Sequence, residues 1–427
     1  MRIAIVGTGI SGLVCAHLLD PGHEVTVYEA SRYVGGHTNT VDVELPGTDG
    51  KTEHHAIDTG FIVFNDRNYP NFVRLLDRLG VASQPSEMSF SVRCEDRGLE
   101  YRGSNLNTLF AQRSNLLRPS FTRMLVDIVR FDRAARRLIA DDADESISLA
   151  EFVEHGHYSR HFRDDFLIPF GASIWSADPE TFLEFPAAAY CRFMNNHGLL
   201  ELRNMPTWRT VSGGSREYVR ALTARLRRPV RTDSAVTKVV RRVDGERPFG
   251  QAIEVISDTG EPETFDAVIL AGHSDQSLEL LGDPTSSERE ILGAIRYQPN
   301  LATLHTDTRL LPRNPRARAS WNYHLGAGTG HEATLTYWMN QLQGLSSSHE
   351  LLVTLNRPAE IDHRRILAEF EYDHPVFDAP ALAAQRRRHE VQGRDGTFFA
   401  GAYWGYGFHE DGVRSALDVC ERFGVGL

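Results

Sequence analysis

RIAIVGTGISG, residues 2–12, decides the fold of this chain. Its first half is a β-branched apolar run, suited to a strand buried on both faces. GTGISG (7–12) then fits G-x-G-x-x-G, and SGLVCAHLLD (11–20) continues with apolar residues at helical spacing. A turn at PGHE leads to VTVYEA (25–30), a second strand ending in Glu29 and Ala30. Each part has a task in a dinucleotide-binding turn. Gly7 permits the tight bend, Gly9 lets backbone approach a pyrophosphate, and Gly12 lets helix and strand pack closely. Ile10 and Ser11 open a helix whose unpaired N–H groups attract phosphate. Glu29 can accept hydrogen bonds from ribose hydroxyls; an acid there disfavours a nucleotide with a 2′-phosphate.

Three later features favour FAD over a nicotinamide dinucleotide. SRYVGGHTNT (31–40) puts Gly35, Gly36 and His37 just after the second strand, where backbone could again approach a phosphate. AIDTGFIVF (56–64) reads as another apolar strand, and Thr59-Gly60 within it marks a close approach of backbone or ligand. GTFFAGAYWGYGFHEDGVRSALDVC (396–420) supplies Gly401 and then a second helix start at His409, Glu410, Asp411, Gly412 and Val413. A nicotinamide dinucleotide needs one such helix. A flavin dinucleotide is served by two, the second facing the ring edge where negative charge collects on reduction.

These residues carry a resemblance. RIAIVGTGISGL…VTVYEASRYVGGHTNT and FFAGAYWGYGFHEDGVRSA resemble the opening and closing motifs of the FAD-dependent amine oxidase and phytoene desaturase superfamily. That superfamily has Arg after the double glycine, where this chain has His37, and Glu or Asp after the closing Ala-Gly, where it has Ala402. GGHTNTV, DTGFIVFNDRNYPNF, QPSEMSFSV, LFAQRSNLLRP and VILAGHSDQ resemble a subgroup of predicted flavoproteins encoded beside cyclopropane-fatty-acyl-phospholipid synthases. The resemblance implies an α/β fold: a Rossmann-type FAD domain from 1–70, 205–285 and 390–427. A mixed-sheet and helical substrate domain from 71–204 and 286–389 would thread through it. It implies that Val236 packs on adenine, that FAD is the cofactor, and that the substrate is a lipid or fatty acyl chain, with a methyltransferase as candidate partner. NAD(P)H is a candidate electron donor. Alternatives are an amine oxidase, a flavin-dependent double-bond isomerase, and a flavoprotein that supports a methyltransferase without turnover.

The chain has 427 residues and a net charge of −11, which argues against a nucleic-acid partner. Its four scattered cysteines form no zinc-like pattern and read as free thiols of a reducing compartment. The first strand begins at Arg2 and no apolar run reaches transmembrane length, so a cytoplasmic location is expected. Against the acidic whole, residues 112–137 hold seven arginines and two acids, Asp127 and Asp132. One reading is an interfacial helix on anionic lipid at the inner membrane face. The other is an amphipathic helix with Phe121, Met124, Leu125, Ile128 and Leu138 packed inward.

For the chemistry, Tyr403 and Trp404 follow the closing Ala-Gly step, and His409 and Glu410 lie at the helix start as proton-relay candidates. Asp411 reads as a capping acid. His157 and His161 are four apart, but no third ligand stands at a metal-like spacing, so no metal is expected.

Overall fold

The computed structural model describes residues 1–141, 147–200, 206–326 and 334–427. The run RIAIV forms the strand Arg2–Val6. It lies inside a four-stranded parallel sheet, between Glu24–Tyr28 and Ala267–Leu270, with Thr397–Phe399 at the far edge. Alternate residues face opposite layers. Ile3, Ile5 and Ile269 join the core around the first helix, whereas Ala4, Val268 and Leu270 join the core on the other face. Covering on both faces is why these strands read as unbroken apolar runs. One sheet thus gathers strands from the beginning, middle and end of the chain.

Gly7 ends the first strand at φ 102°. The helix Ile10–Leu19 follows, and a Cβ on Gly12 would sit 2.0 Å from the Gly7 carbonyl oxygen. Only glycine fits there. The C-terminal helix, His409–Glu421, packs along this first helix. Ser11 Oγ donates to the Gly412 carbonyl at 3.0 Å, and a Cβ on Gly412 would lie 2.7 Å from Ile10 Cγ2. Small residues at this crossing bring two helix N-termini together across 401 positions of sequence.

A seven-stranded sheet forms the second layer. Its order is Ile366–Pro375, Tyr297–His305, Leu352–Leu355, Leu335–Trp338, Trp321–Leu325, Phe90–Cys94 and Leu99–Arg102. All its pairings are antiparallel except Trp321–Leu325 with Phe90–Cys94. Helices including Pro119–Ala140, Ile168–Trp175 and Ala187–Asn196 share its large apolar core. The hairpin Val236–Val243 and Gln251–Ser257 forms as the sequence suggests. The strand expected across 56–64 does not: strand Thr52–Asp58 ends before Gly60, and residues 59–63 are irregular. The reason is packing, since a Cβ on Gly60 would sit 2.2 Å from the His37 carbonyl oxygen. The expected boundary at 204–205 lies outside the described residues. Among the described residues no helix is long and apolar enough to cross a membrane.

Candidate functional site

One cavity of about 1390 Å³ runs from the glycine turn of the first helix into the helical layer above the seven-stranded sheet. That exceeds the roughly 300–1,000 Å³ of ordinary small-molecule sites. Gly7, Gly9, Ile10, Ser11, Gly35 and Gly36 line one end. A Cβ on Gly9 would meet nothing within 4 Å, so its backbone faces open space. Gly36, at φ 57°, brings its backbone beside Gly9: a Cβ there would lie 3.1 Å from Gly9 Cα. No side chain caps the first helix and no acid stands in its first turn, which leaves its N–H groups for a ligand. Glu29 accepts from Thr8 N at 3.0 Å, from Thr8 Oγ1 and from Ser31 N at 2.8 Å, which fixes its carboxylate at the cavity edge. Ala30 and Val236 continue that wall. Gly12 stands behind the turn, in helix-to-strand contact.

At the other side of this end, Gly60, Gly401, Ala402, Tyr403 and His409 also reach the cavity. His409 stacks flat on Phe61, ring centres 3.5 Å apart. Its Nε2 meets Tyr218 Oη at 2.9 Å and Thr38 Oγ1 at 3.1 Å, and those two hydroxyls bond each other. Burial, with His37 nearby, holds the His409 ring well below the usual histidine range, so it is neutral. His37 lies in the same wall and is pushed down to about 4 by burial and then by His273. Burial drives the Tyr403 hydroxyl well above its ordinary value.

Besides Gly12, six expected site residues stand off the cavity wall. Glu410 turns away: its carboxylate accepts from Asn71 N at 3.2 Å, Asn71 Nδ2 at 2.6 Å and Phe72 N at 3.0 Å, capping the helix Pro70–Leu79. That geometry leaves it no proton relay at the cavity. Trp404 packs in the core behind, its Nε1 donating to the Phe399 carbonyl at 3.1 Å. Thr59 bonds the Asn39 carbonyl and the Tyr372 hydroxyl. Asp411 Oδ2 accepts from Tyr406 N at 3.0 Å and Phe408 N at 3.1 Å, tying the glycine-rich loop to the helix start. Gly412 contacts the first helix and Val413 is core. The C-terminal helix therefore acts on the cavity through its loop and His409, not through the carboxylates of Glu410 and Asp411.

The far end is apolar. Leu125, Ile128 and Phe131 come from the helix Pro119–Ala140, Phe166 and Phe170 from the helical run 163–175, and Phe193 from Ala187–Asn196. So the stripe of the arginine-rich helix packs inward. Phe121 and Met124 are buried, while Leu125 and Ile128 face the cavity. One ionisable side chain of that helix, Asp132, faces in, and burial pushes it up to about 6.

The family model for flavin containing amine oxidoreductases matches residues 10–364. The chain belongs to that family. Among curated proteins, a putative flavin-containing monoamine oxidase of Mycobacterium tuberculosis is 27% identical over 275 residues, 61% of this chain and 54% of that protein. The zeta-carotene desaturase of a Synechocystis strain is 38% identical over 81 residues, 19% of this chain and 15% of that protein. The chain thus spans about half, or less, of these relatives. Among solved structures, a CLA-producing fatty acid isomerase from P. acnes superposes with TM-score 0.66 at 18% identity, covering 99% of this chain and 98% of that one. Cyclohexylamine oxidase from Brevibacterium oxydans gives TM-score 0.69 at 15% identity, with 99% of each chain covered. At such identities the likeness is one of fold.

A flavin containing amine oxidoreductase implies a flavin, and the residues present fit one. The Gly9 backbone with open space beside it, the Gly36 backbone packed against it, an uncapped helix start and a carboxylate at the second strand end form a dinucleotide cradle. Sequence reasoning missed His273, Tyr372 and His374, which surround His37, and Tyr297, which stacks on His273. The His37 ring lies 5.2 Å from Tyr372, 5.4 Å from His374 and 6.1 Å from His273. His273 sits inside the VILAGHSDQ run, but the sequence does not reveal its role as a helix cap; no motif marks the other three, because they come from two strands of the other layer.

Proposed function

We propose that the chain is an FAD-dependent oxidoreductase acting on an unsaturated or methylene-bearing fatty acyl chain of a phospholipid. The observation that carries this reading is the apolar chamber continuous with the dinucleotide cradle, walled by Leu125, Ile128, Phe131, Phe166, Phe170 and Phe193. Such a chamber suits a hydrocarbon and excludes water from it. The bound flavin would supply hydride chemistry. The protein's own groups bind and orient: the Gly7–Gly9 turn and Glu29 hold the nucleotide end, the aromatic chamber aligns the acyl chain, and neutral His409 fixes Thr38 and Tyr218 beneath it. In this reading 1–70, 205–285 and 390–427 serve the cofactor and the remainder serves the substrate. The fold-level likeness to a fatty acid isomerase agrees with an acyl occupant. It also keeps double-bond isomerisation within reach of the same chamber.

The acyl chain would come from a membrane surface. Leu116 and Leu117 are 57% and 87% exposed just before the arginine-rich helix, and Val126 and Val129 are exposed on its outer side. Arg113, Arg133 and Arg137 are exposed along the same stretch. Apolar side chains among arginines suit an anionic headgroup layer.

Asp132 favours a second reading. A carboxyl in an otherwise apolar wall could pair with a substrate ammonium, which is what an amine oxidase would bind. One set of measurements separates the two. The purified protein loaded with FAD is mixed anaerobically with NAD(P)H, unsaturated phospholipids or a panel of amines, and flavin absorbance is followed. In parallel, cells with and without the protein are compared for fatty-acyl composition, a cognate methyltransferase being present. An altered acyl profile is expected. An unchanged profile together with flavin reduction by amines would replace the acyl reading with the amine one. A flavin inert to all of them would leave the protein a non-catalytic partner of the methyltransferase.

A further inference from the structure

We propose that His374 is a neutral hydrogen-bond donor to the flavin end of the bound dinucleotide, fixed in one tautomer by a relay that starts at a backbone amide. The proposal rests on the cavity holding a flavin dinucleotide. The relay has one direction. The Leu301 N–H can only donate, and it donates to Asn356 Oδ1 at 2.8 Å. That turns the Asn356 nitrogen toward Asn300, and Asn356 Nδ2 donates to Asn300 Oδ1 at 2.8 Å. Asn300 Nδ2 then serves two acceptors, the Gln298 carbonyl at 3.3 Å and His374 Nδ1 at 3.0 Å. Flipping the Asn300 amide would set oxygen against the Gln298 oxygen and nitrogen against the Asn356 nitrogen. His374 Nδ1 must therefore carry the lone pair, and the proton of the neutral ring sits on Nε2.

The relay is built into the fold. Asn300 is 1% exposed. Asn356 holds φ at 58°, a left-handed conformation that asparagine tolerates, and its own N–H returns to the Leu301 carbonyl at 2.8 Å. Burial beside His37 and His273 holds the His374 ring far below the usual histidine range, which keeps it neutral as the tautomer requires.

His374 lines the cavity, and its Nε2 bonds no group among the described residues. Its surroundings say what that N–H faces. The His37 ring stands edge-on to it, and His37 directly follows the Gly36 backbone that meets Gly9. The residues that follow it, Pro375 and Phe377, abut Gly407, 3.4 and 3.2 Å from where a Cβ would be. His374 thus stands between the double-glycine turn and the loop before the C-terminal helix, the two backbone segments that would embrace the flavin end. A neutral donor there supports charge that develops on reduction without placing a full cation beside it. Asn300 and Asn356 are positioning residues that act through this ring.

The test is histidine 15N NMR on the full chain, free and loaded with FAD, with the His374 signals assigned from the His374→Leu variant. The expected result is an unprotonated Nδ1 and a protonated Nε2 in both states, with the Nε2–H signal moved by FAD. His374→Leu should raise the FAD dissociation constant about three- to tenfold, the loss of one hydrogen bond, and shift the flavin visible spectrum. Asn300→Asp replaces the donor by a carboxylate, so it should move the proton to Nδ1 and disturb the same spectrum with His374 still present. If His374→Leu does not fold, assignment passes to Asn300→Asp and the comparison on the unaltered chain decides. A protonated Nδ1, or an Nε2–H signal indifferent to bound FAD, would overturn the proposal while leaving the cofactor in place. A wild-type chain that takes up no FAD would overturn the cofactor reading itself.

Discussion

The two ends of the cavity are built on different terms. The cradle end is made of backbone: glycines, a helix start and one carboxylate, with its first elements inside the opening thirty residues. The apolar end is made of side chains from three separate helical stretches, at 125–131, 166–170 and 190–194. Backbone geometry tolerates almost no substitution, because added atoms collide with main chain that cannot move. A side-chain wall tolerates exchange of volume and changes its occupant instead. The first end is set by what its backbone must approach; the second is where substitution can change the occupant.

Four measurements test that contrast, beginning with the largest effect. Gly12→Ala places a Cβ 2.0 Å from the Gly7 oxygen, so it should cost about 3 kcal/mol or more and abolish FAD uptake, read by thermal unfolding and absorbance. Gly9→Ala meets no protein atom and should leave the melting temperature nearly unchanged while blocking FAD. Equal destabilisation by both would erase the distinction between a glycine needed by the fold and one needed by the ligand.

Acid should weaken the seven-stranded layer. His305 is fully buried, with Nε2 against Thr354 Oγ1 at 2.7 Å and Nδ1 accepting from Asp307 N at 3.0 Å, and burial pushes it down to about 4. The unfolded chain binds the proton near its usual value and the folded one does not. The contribution is therefore full above pH 6.5 and lost as pH falls from 6.5 toward 4. It amounts to roughly 3 kcal/mol at about 1.36 kcal/mol per pH unit. Urea unfolding from pH 7.5 to 4.5 should show the loss, and His305→Gln should flatten it.

Ile128→Trp should narrow the apolar chamber, lowering turnover of acyl substrates about tenfold or more with FAD binding intact. If FAD binding falls instead, the two ends are not separable. The smallest effect belongs to the outer face: Leu117→Ser, at an 87% exposed position, should reduce binding to anionic phospholipid vesicles severalfold without altering the melting temperature.

The same contrast explains what could be read from the chain. Gly7, Gly9, Gly12, Glu29 and Gly36 were legible because each acts through its own backbone or within a few residues of it. Glu410 was not: nothing local says that its carboxylate caps the helix at Pro70 rather than facing its own loop. Trp404 follows the step that turns toward the cavity, and the sequence alone leaves it as wall or core; its ring folds back, with Nε1 on the Phe399 carbonyl. Gly60 sat in a stretch that looks like a strand, and the His37 loop against it breaks the strand. His374 acquires its setting from Asn300 and Asn356, partners fixed only by strand register.

The bond from Ser11 to Gly412 has a bearing on biogenesis. A ribosome makes the glycine turn some four hundred codons before the loop and helix that finish the nucleotide's enclosure. Until then the nascent polypeptide exposes an unfinished groove between apolar surfaces, which a chaperone, rather than the vitamin-derived prosthetic group, would have to shield.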